Sequence, residues 1–214
     1  MKSFLVIGMG RFGINLARKL TELGNEVMIV DHDSEKIDEL APEFTDSYIG
    51  DCTHEGVVRA LGVENFDICF VSMGENFQAS LMTTSILKSL GAKMVVSKAN
   101  QPIQADLLKK IGADAVVYPE KEMAEKLAVQ YSADNVFDYI NLTGEYSIYE
   151  TSILSSWAGK TIIELDIRNK YNINIIAVKP KNGVLMPLPG ANYRFNETDH
   201  IVLIGKKEDV IKLK

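Results

Sequence analysis

The chain has 214 residues, 46% apolar and 24% charged, with a formal net charge of −6. That length suits one large domain or a medium domain followed by a small one, and no apolar run approaches the ~18 residues that cross a bilayer. The acid excess lies in residues 1–140, with 13 Lys/Arg against 21 Asp/Glu, whereas residues 141–214 carry 10 against 8. Neither part has the dense basic surface that phosphate backbones require, so no nucleic-acid partner is expected. The N-terminal residues enter a strand pattern directly, without a signal-peptide cleavage region, and a cytosolic location is expected. Two cysteines, Cys52 and Cys69, and three scattered histidines fit no structural zinc spacing.

In chain order, short apolar runs alternate with helical patterns over the first 130 residues. Strands are expected at Phe4–Ile7, Val27–Val30, Tyr48–Ile49, Ile68–Val71, Met94–Val96 and Ala115–Tyr118, most without polar alternation, as parallel strands covered on both faces require. Between them, apolar residues recur at helical spacing, as in Phe12, Leu16, Leu20 and Leu23, or Leu81, Ile86, Leu87 and Leu90. Six strand–helix units in this order imply an α/β fold with a Rossmann-type doubly wound parallel sheet. The rhythm then changes, placing a domain boundary at 134/135. Strand patterns follow one another at Val136–Leu142, Ser147–Thr151, Ile173–Val178 and Ile201–Ile204, with a turn signal at Asn182-Gly183 and one helix over about Thr161–Lys170. Residues 135–214 therefore read as a small α+β domain, small enough to need a partner copy over its apolar face.

Gly8-Met9-Gly10-Arg11-Phe12-Gly13 follows the first strand and opens the first helix. Glycines at these places permit a tight turn, close approach of a diphosphate and close helix–strand packing, while the helix N-terminus offers N–H groups to phosphate. Asp31 ends the second strand 18 residues after Gly13, where an acid accepts hydrogen bonds from ribose hydroxyls. A carboxylate there disfavours the 2′-phosphate of NADP but does not choose among NAD, ADP and ATP. Arg11 opposes the helix dipole unless an anion compensates, which suits a β- or γ-phosphate; a solvated Arg is the alternative. An NAD-linked oxidoreductase needs a proton-transfer group beside the nicotinamide. No tyrosine is followed four residues later by lysine, and His32, His54 and His200 read as surface or capping residues. The enzyme reading is the weaker alternative.

Further motifs point to one family. Gly50-Asp51-Cys52-Thr53 follows the third strand, and Leu61-Gly62-Val63 ends the next helix. Val71-Ser72-Met73-Gly74-Glu75-Asn76, Lys98-Ala99-Asn100, Ile111-Gly112-Ala113-Asp114 and Val117-Tyr118-Pro119-Glu120 then follow in order. This series resembles the regulator-of-potassium-conductance (RCK) domain, or TrkA-N domain, and residues 135–214 resemble its companion TrkA-C domain. A single N-plus-C unit without membrane helices is similar to the KtrA group, the cytosolic regulatory subunits of Ktr potassium uptake systems. The resemblance implies homodimers assembled into an octameric gating ring beneath a KtrB-like integral membrane potassium-translocating subunit, at the inner face of the membrane. It also implies that ATP favours the conducting ring and ADP the inactive one, with NAD or NADH as competitors.

Carried onto this sequence, the resemblance assigns Gly8, Met9, Gly10, Arg11, Phe12 and Gly13 to the phosphate loop. Asp31, His32 and Asp33 fall at the ribose edge, and Asp51 and Cys52 at the adenine. Met73, Gly74 and Glu75 lie at the topological switch, with Lys98 on the same edge. Glu120 matches an acid that helps hold a divalent cation (Mg or Ca) with the nucleotide; an acid in a first helical turn after Pro119 is also an ordinary helix start. Ile162-Ile163-Glu164-Leu165-Asp166-Ile167-Arg168 and Asn174-Ile175-Ile176 resemble a segment that binds cyclic di-AMP. Ile163, Asp166, Arg168, Asn174, Ile175 and Pro189 are its candidates, with Arg168 on phosphate and Ile175 and Pro189 against a base. A small-domain interface with Asp166 and Arg168 solvated is the alternative.

Overall fold

The computed structural model describes residues 1–74, 76–132, 136–181, 183–210 and 213. It forms two compact units, Met1–Lys121 and Glu122–Lys214. In the first unit strands and helices alternate: β1 (Ser3–Ile7), α1 (Arg11–Glu22), β2 (Glu26–Asp31), α2 (Ser34–Leu40), β3 (Asp46–Ile49), α3 (Glu55–Ala60), β4 (Ile68–Val71), α4 (Phe77–Ser89), β5 (Val95–Lys98), α5 (Pro102–Lys110) and β6 (Ala115–Val117). All six strands pair in parallel in the order β3-β2-β1-β4-β5-β6. The order reverses between β1 and β4, so a crevice opens beyond their carboxyl ends. The doubly wound sheet expected from the sequence is the one observed.

Both faces of the inner strands are covered, which is why β1 and β2 lack alternation. Leu5, Ile7, Val30, Cys69, Val71 and Leu87 pack on one face, and Phe4, Val6, Met9, Ala17, Val27 and Ile29 on the other. Helix α1 turns a different stripe inward from the one expected. Gly13 and Ala17 are its buried residues, joined by Ile14 and Leu20, while Leu23 is largely exposed. Small residues win the inner face because the helix lies close to the sheet. A Cβ on Gly13 would collide with the Gly8 carbonyl oxygen and come 2.6 Å from Ser72 Oγ.

Helix α6 (Pro119–Ser132) starts at the end of the first unit and runs into the second. The boundary by compactness lies inside this helix, and α6 contributes Val129 to the second core. The second unit continues with β7 (Val136–Asn141), β8 (Tyr146–Ser152), α7 (Ile162–Leu165), α8 (Ile167–Tyr171), β9 (Asn174–Lys179), β10 (Met186–Pro187), β11 (His200–Lys206) and α9 (Lys207–Val210). Its antiparallel sheet has the order β10-β9-β11-β8-β7, and Trp157, Ile173, Phe195, Ile201 and Leu203 centre its core. The single helix expected at 161–170 is two short ones. Thr161 and Glu164 form a capping box that starts α7, and Asp166 then takes a left-handed conformation (φ 46°) that breaks the run. Of the expected turn pair, Gly183 has φ 82° and Asn182 lies outside the described residues.

Candidate functional site

A cleft of about 1340 Å³ lies at the carboxyl edge of the parallel sheet. Nucleotide-sized ligands need several hundred Å³. Gly8, Met9, Gly10, Arg11, Phe12, Asp31, His32, Asp51, Cys52, Met73, Gly74, Lys98 and Glu120 all line it. The structure therefore gathers most of the first-domain candidates into one crevice.

The glycine loop is held by bonds within the protein. Gly8 has φ 95°, a conformation that a side chain would strain. Its N–H donates to the Val30 carbonyl at 2.8 Å, and Ser72 Oγ donates to the Gly8 carbonyl. A Cβ on Gly10, by contrast, would meet nothing within 4 Å, so this glycine keeps open the space where a diphosphate would approach. Gly10 also precedes α1, which no side chain caps and whose first turn has no acid, leaving the helix end disposed toward an anion. The residues present fit a nucleotide diphosphate.

Asp31 is almost buried and does more than end a strand. Its Oδ2 accepts the Met9 N–H at 2.6 Å, its Oδ1 accepts the Asp33 N–H at 3.0 Å, and His32 Nδ1 stands 3.0 Å from Oδ1. The carboxylate thus clamps the glycine loop to β2 and retains lone pairs for a ribose hydroxyl.

Two of the first-domain candidates lie off the cleft and two border it with buried side chains. Asp33 does not line the cleft; its carboxylate caps α2 by accepting from Glu35 N and Lys36 N. Gly13 does not line it either, being committed to helix–strand packing. Met9 and Cys52 border the cleft with buried side chains, which leaves backbone as their principal contribution, and burial pushes the Cys52 thiol up to about 12. Glu75 lies outside the described residues.

Asp51 accepts from both Thr53 N and Thr53 Oγ1, and the backbone bond in particular holds its carboxyl below the usual range. Lys98 Nζ donates to Glu120 Oε1 at 2.6 Å. That bond lowers the Glu120 pKa, with Arg11 adding to the pull. Among the described residues no group of three His, Cys, Asp or Glu side chains converges. A divalent cation beside Glu120 would need oxygens from phosphate, water or a second subunit.

Sequence reasoning missed Ser72 as the residue that fixes Gly8, and Asn100, whose Nδ2 donates to the Gly74 carbonyl at 2.6 Å. Both sit just past strand ends, which was the available signal. In the second unit, Arg168 Nε donates to Asn174 Oδ1 at 2.7 Å. Asn169 Nδ2 donates to Asp166 Oδ1 at 2.7 Å, and Ile163 is exposed. Ile175 and Pro189 are half-buried.

The TrkA-N domain family matches residues 4–119, and the TrkA-C domain family matches 148–214. The chain belongs to the TrkA-N/TrkA-C family. It is 42% identical over 213 residues to the Ktr system potassium uptake protein C of Bacillus subtilis (strain 168), covering all of this chain and 96% of that one. It is 39% identical to the Ktr system potassium uptake protein A of the same organism, over 98% and 94% of the two chains. Among solved structures, the GsuK RCK domain superposes with a TM-score of 0.68 at 21% identity, over 99% of this chain and 46% of that one. The GsuK channel bound to NAD superposes with a TM-score of 0.69 at 22% identity, over 97% and 38%. At such identity these two bear on the fold alone. Both Bacillus subtilis relatives are potassium uptake proteins, and the oxidoreductase alternative finds no support in them.

Proposed function

We propose that this chain is the nucleotide-sensing regulatory subunit of a Ktr-type potassium uptake system. It works in the cytoplasm beneath a membrane potassium-translocating subunit, with ATP activating and ADP inactivating. The observation that carries this is the glycine loop clamped by Asp31 at the wall of a nucleotide-sized cleft, in a chain 42% identical to a Ktr potassium uptake protein. A cleft of this kind regulates when its ligands bind two shapes of the assembly with different affinity, and dimers arranged as an octameric ring supply those shapes. Arg11, exposed at the start of α1 and lining the cleft, reads the terminal phosphate. NAD or NADH compete for the same cleft, and a divalent cation joins Glu120 to the phosphates. Cyclic di-AMP inhibits through the second unit, where the Arg168–Asn174 pair and exposed Ile163 offer a cation and an apolar surface.

The test is reconstitution with a membrane partner, combined with mass spectrometry of small molecules released from the purified protein. Bound ATP or ADP, potassium flux that differs between them, and loss of that difference in Arg11→Ala are expected. Tightly held NAD with turnover, or flux indifferent to both nucleotides, would overturn the reading.

A further inference from the structure

The middle of α4 carries two adjacent hydroxyls where a buried helix face usually carries hydrocarbon. Thr83 and Thr84 are both fully buried. A threonine inside a helix commonly turns its hydroxyl back to a carbonyl one turn earlier. Here both reach elsewhere: Thr84 Oγ1 lies 2.8 Å from Ser97 Oγ on β5, and Thr83 Oγ1 donates to the Cys52 carbonyl at 3.1 Å. The Thr83 bond ties α4 to the loop after β3. It holds one end of the peptide between Cys52 and Thr53, whose other end, the Thr53 N–H, donates to Asp51 Oδ1 at 2.9 Å. Gly50, Asp51, Cys52 and Thr53 line the cleft, as do Asn76 and Ala79 at the N-terminal end of α4.

We propose that Thr83 is a positioning residue for the base end of the cleft, and that its bond to the Cys52 carbonyl makes the cleft prefer adenine to guanine. This inference rests on the nucleotide reading above, with the base against Asp51 and Cys52. Adenine presents an amino donor where guanine presents a carbonyl acceptor, and an ionised Asp51 can only accept. Such a group discriminates while it stays in place. A loop free to shift would admit a water between the carboxylate and the guanine carbonyl, and the preference would fade. Thr83 lies behind the loop and acts through the peptide that Asp51 also holds. Valine would fill the same space with the same branching, so packing alone does not call for a hydroxyl at this position. The buried Cys52 carbonyl does, because a buried acceptor left unpaired is costly.

The experiment is titration calorimetry of the full-length protein with ATP and with GTP. Wild type, Thr83→Val, Thr83→Ser and Thr84→Val are compared, with melting temperatures confirming that each is folded. Thr84→Val is the control for a lost buried hydrogen bond, because its partner lies on β5 and not in the loop. Wild type is expected to bind ATP at least about tenfold tighter than GTP. Thr83→Val should weaken ATP by about five- to thirtyfold and GTP by about twofold at most, so that the preference collapses. Thr83→Ser keeps the donor and the preference, and Thr84→Val melts lower yet keeps the preference too. Should Thr83→Val not fold, Thr83→Cys takes its place, because a thiol donates only weakly, and the preference should fall there as well. A Thr83→Val or Thr83→Cys protein with the wild-type preference overturns the proposal, as does an equal loss of preference in Thr84→Val or Thr83→Ser. A wild type that binds neither nucleotide defeats the nucleotide reading and this inference together. A wild type that binds ATP and GTP alike defeats only this one.

Discussion

Replacing Asp31 separates the loop clamp seen in the structure from the proposed ribose contact. Asp31→Ala removes the acceptor of the 2.6 Å bond from Met9 N–H and leaves that amide in a residue only 1% exposed. Loss of a charged acceptor with an orphaned buried donor costs about 2–3 kcal/mol. For a chain of this size that lowers the melting temperature by about 4–12 °C. The Asp33 N–H, in a half-buried residue, finds water more readily and adds little. Asp31→Asn keeps one carbonyl oxygen for Met9 and should lose less than half as much stability. Both variants lack the carboxylate for the sugar, so ATP, ADP and NADH should all weaken by a similar factor, about ten- to a hundredfold. Scanning calorimetry of the unliganded variants and titration of the three ligands well below the melting point read the two effects apart. An unchanged melting temperature in Asp31→Ala would refute the clamp. Affinities that stay the same, or fall for one ligand alone, would refute the shared ribose contact.

The two glycines of the loop should respond oppositely. Gly13→Ala forces a Cβ against the Gly8 carbonyl and should lower stability by about 1–3 kcal/mol. Gly10→Ala meets nothing within 4 Å at φ −81°, so it should melt like wild type but bind nucleotide more weakly; a Gly13→Ala variant as stable as wild type would contradict the packing. Burial pushes the Cys52 and Cys69 thiols up to about 12, so neither should react with a chromogenic disulfide at pH 8 until the protein is unfolded; rapid reaction in the folded state would show a cleft wall more open than described. Acid stability follows from carboxyls held low by specific bonds: Asp138 by Lys126, Asp33 by Lys36, and Asp51 by the Thr53 amide. Folded values below the unfolded ones mean that this stabilisation is complete above the unfolded carboxyl range and drains as pH falls through it. Melting temperature should hold to about pH 5 and decline below about pH 4, less steeply in Asp138→Asn. A decline beginning near pH 6 would refute the assignment to these carboxyls.

The parallel sheet was legible because most of its strands carry apolar runs without alternation, and the crevice because Gly8–Gly13 and Asp31 each sit at a strand end. Helix α1 shows where such reading stops. The large apolar residues Phe12, Leu16 and Leu23 suggested the inner face, but a helix drawn tight against a sheet buries its smallest residues, here Gly13 and Ala17. Periodicity reports polarity and not depth. The break at Asp166 was hidden for a related reason. Its neighbours are good helix formers, and only the capping box at Thr161 and Glu164 fixes a start that leaves room for a single turn. The pairing of Lys98 with Glu120, 22 residues apart at the ends of different elements, exists only once the sheet is assembled.

These contacts divide the cleft into parts that are fixed and parts that can exchange. The glycine loop is tethered at Gly8 by Val30 and Ser72 and at Met9 by Asp31, all in backbone or buried positions. Under the proposed function, a loop so constrained would present the same N–H groups to every adenine nucleotide and lose little entropy when one binds. It would therefore supply affinity without discrimination. Any preference between a diphosphate and a triphosphate has to come from charges whose partners can change, and the structure offers Arg11, exposed beside the loop. In a sensor the first set can be stiff and the second must not be. A substitution that stiffens the loop should raise the affinity for ATP and ADP alike, whereas one that alters Arg11 should change their ratio.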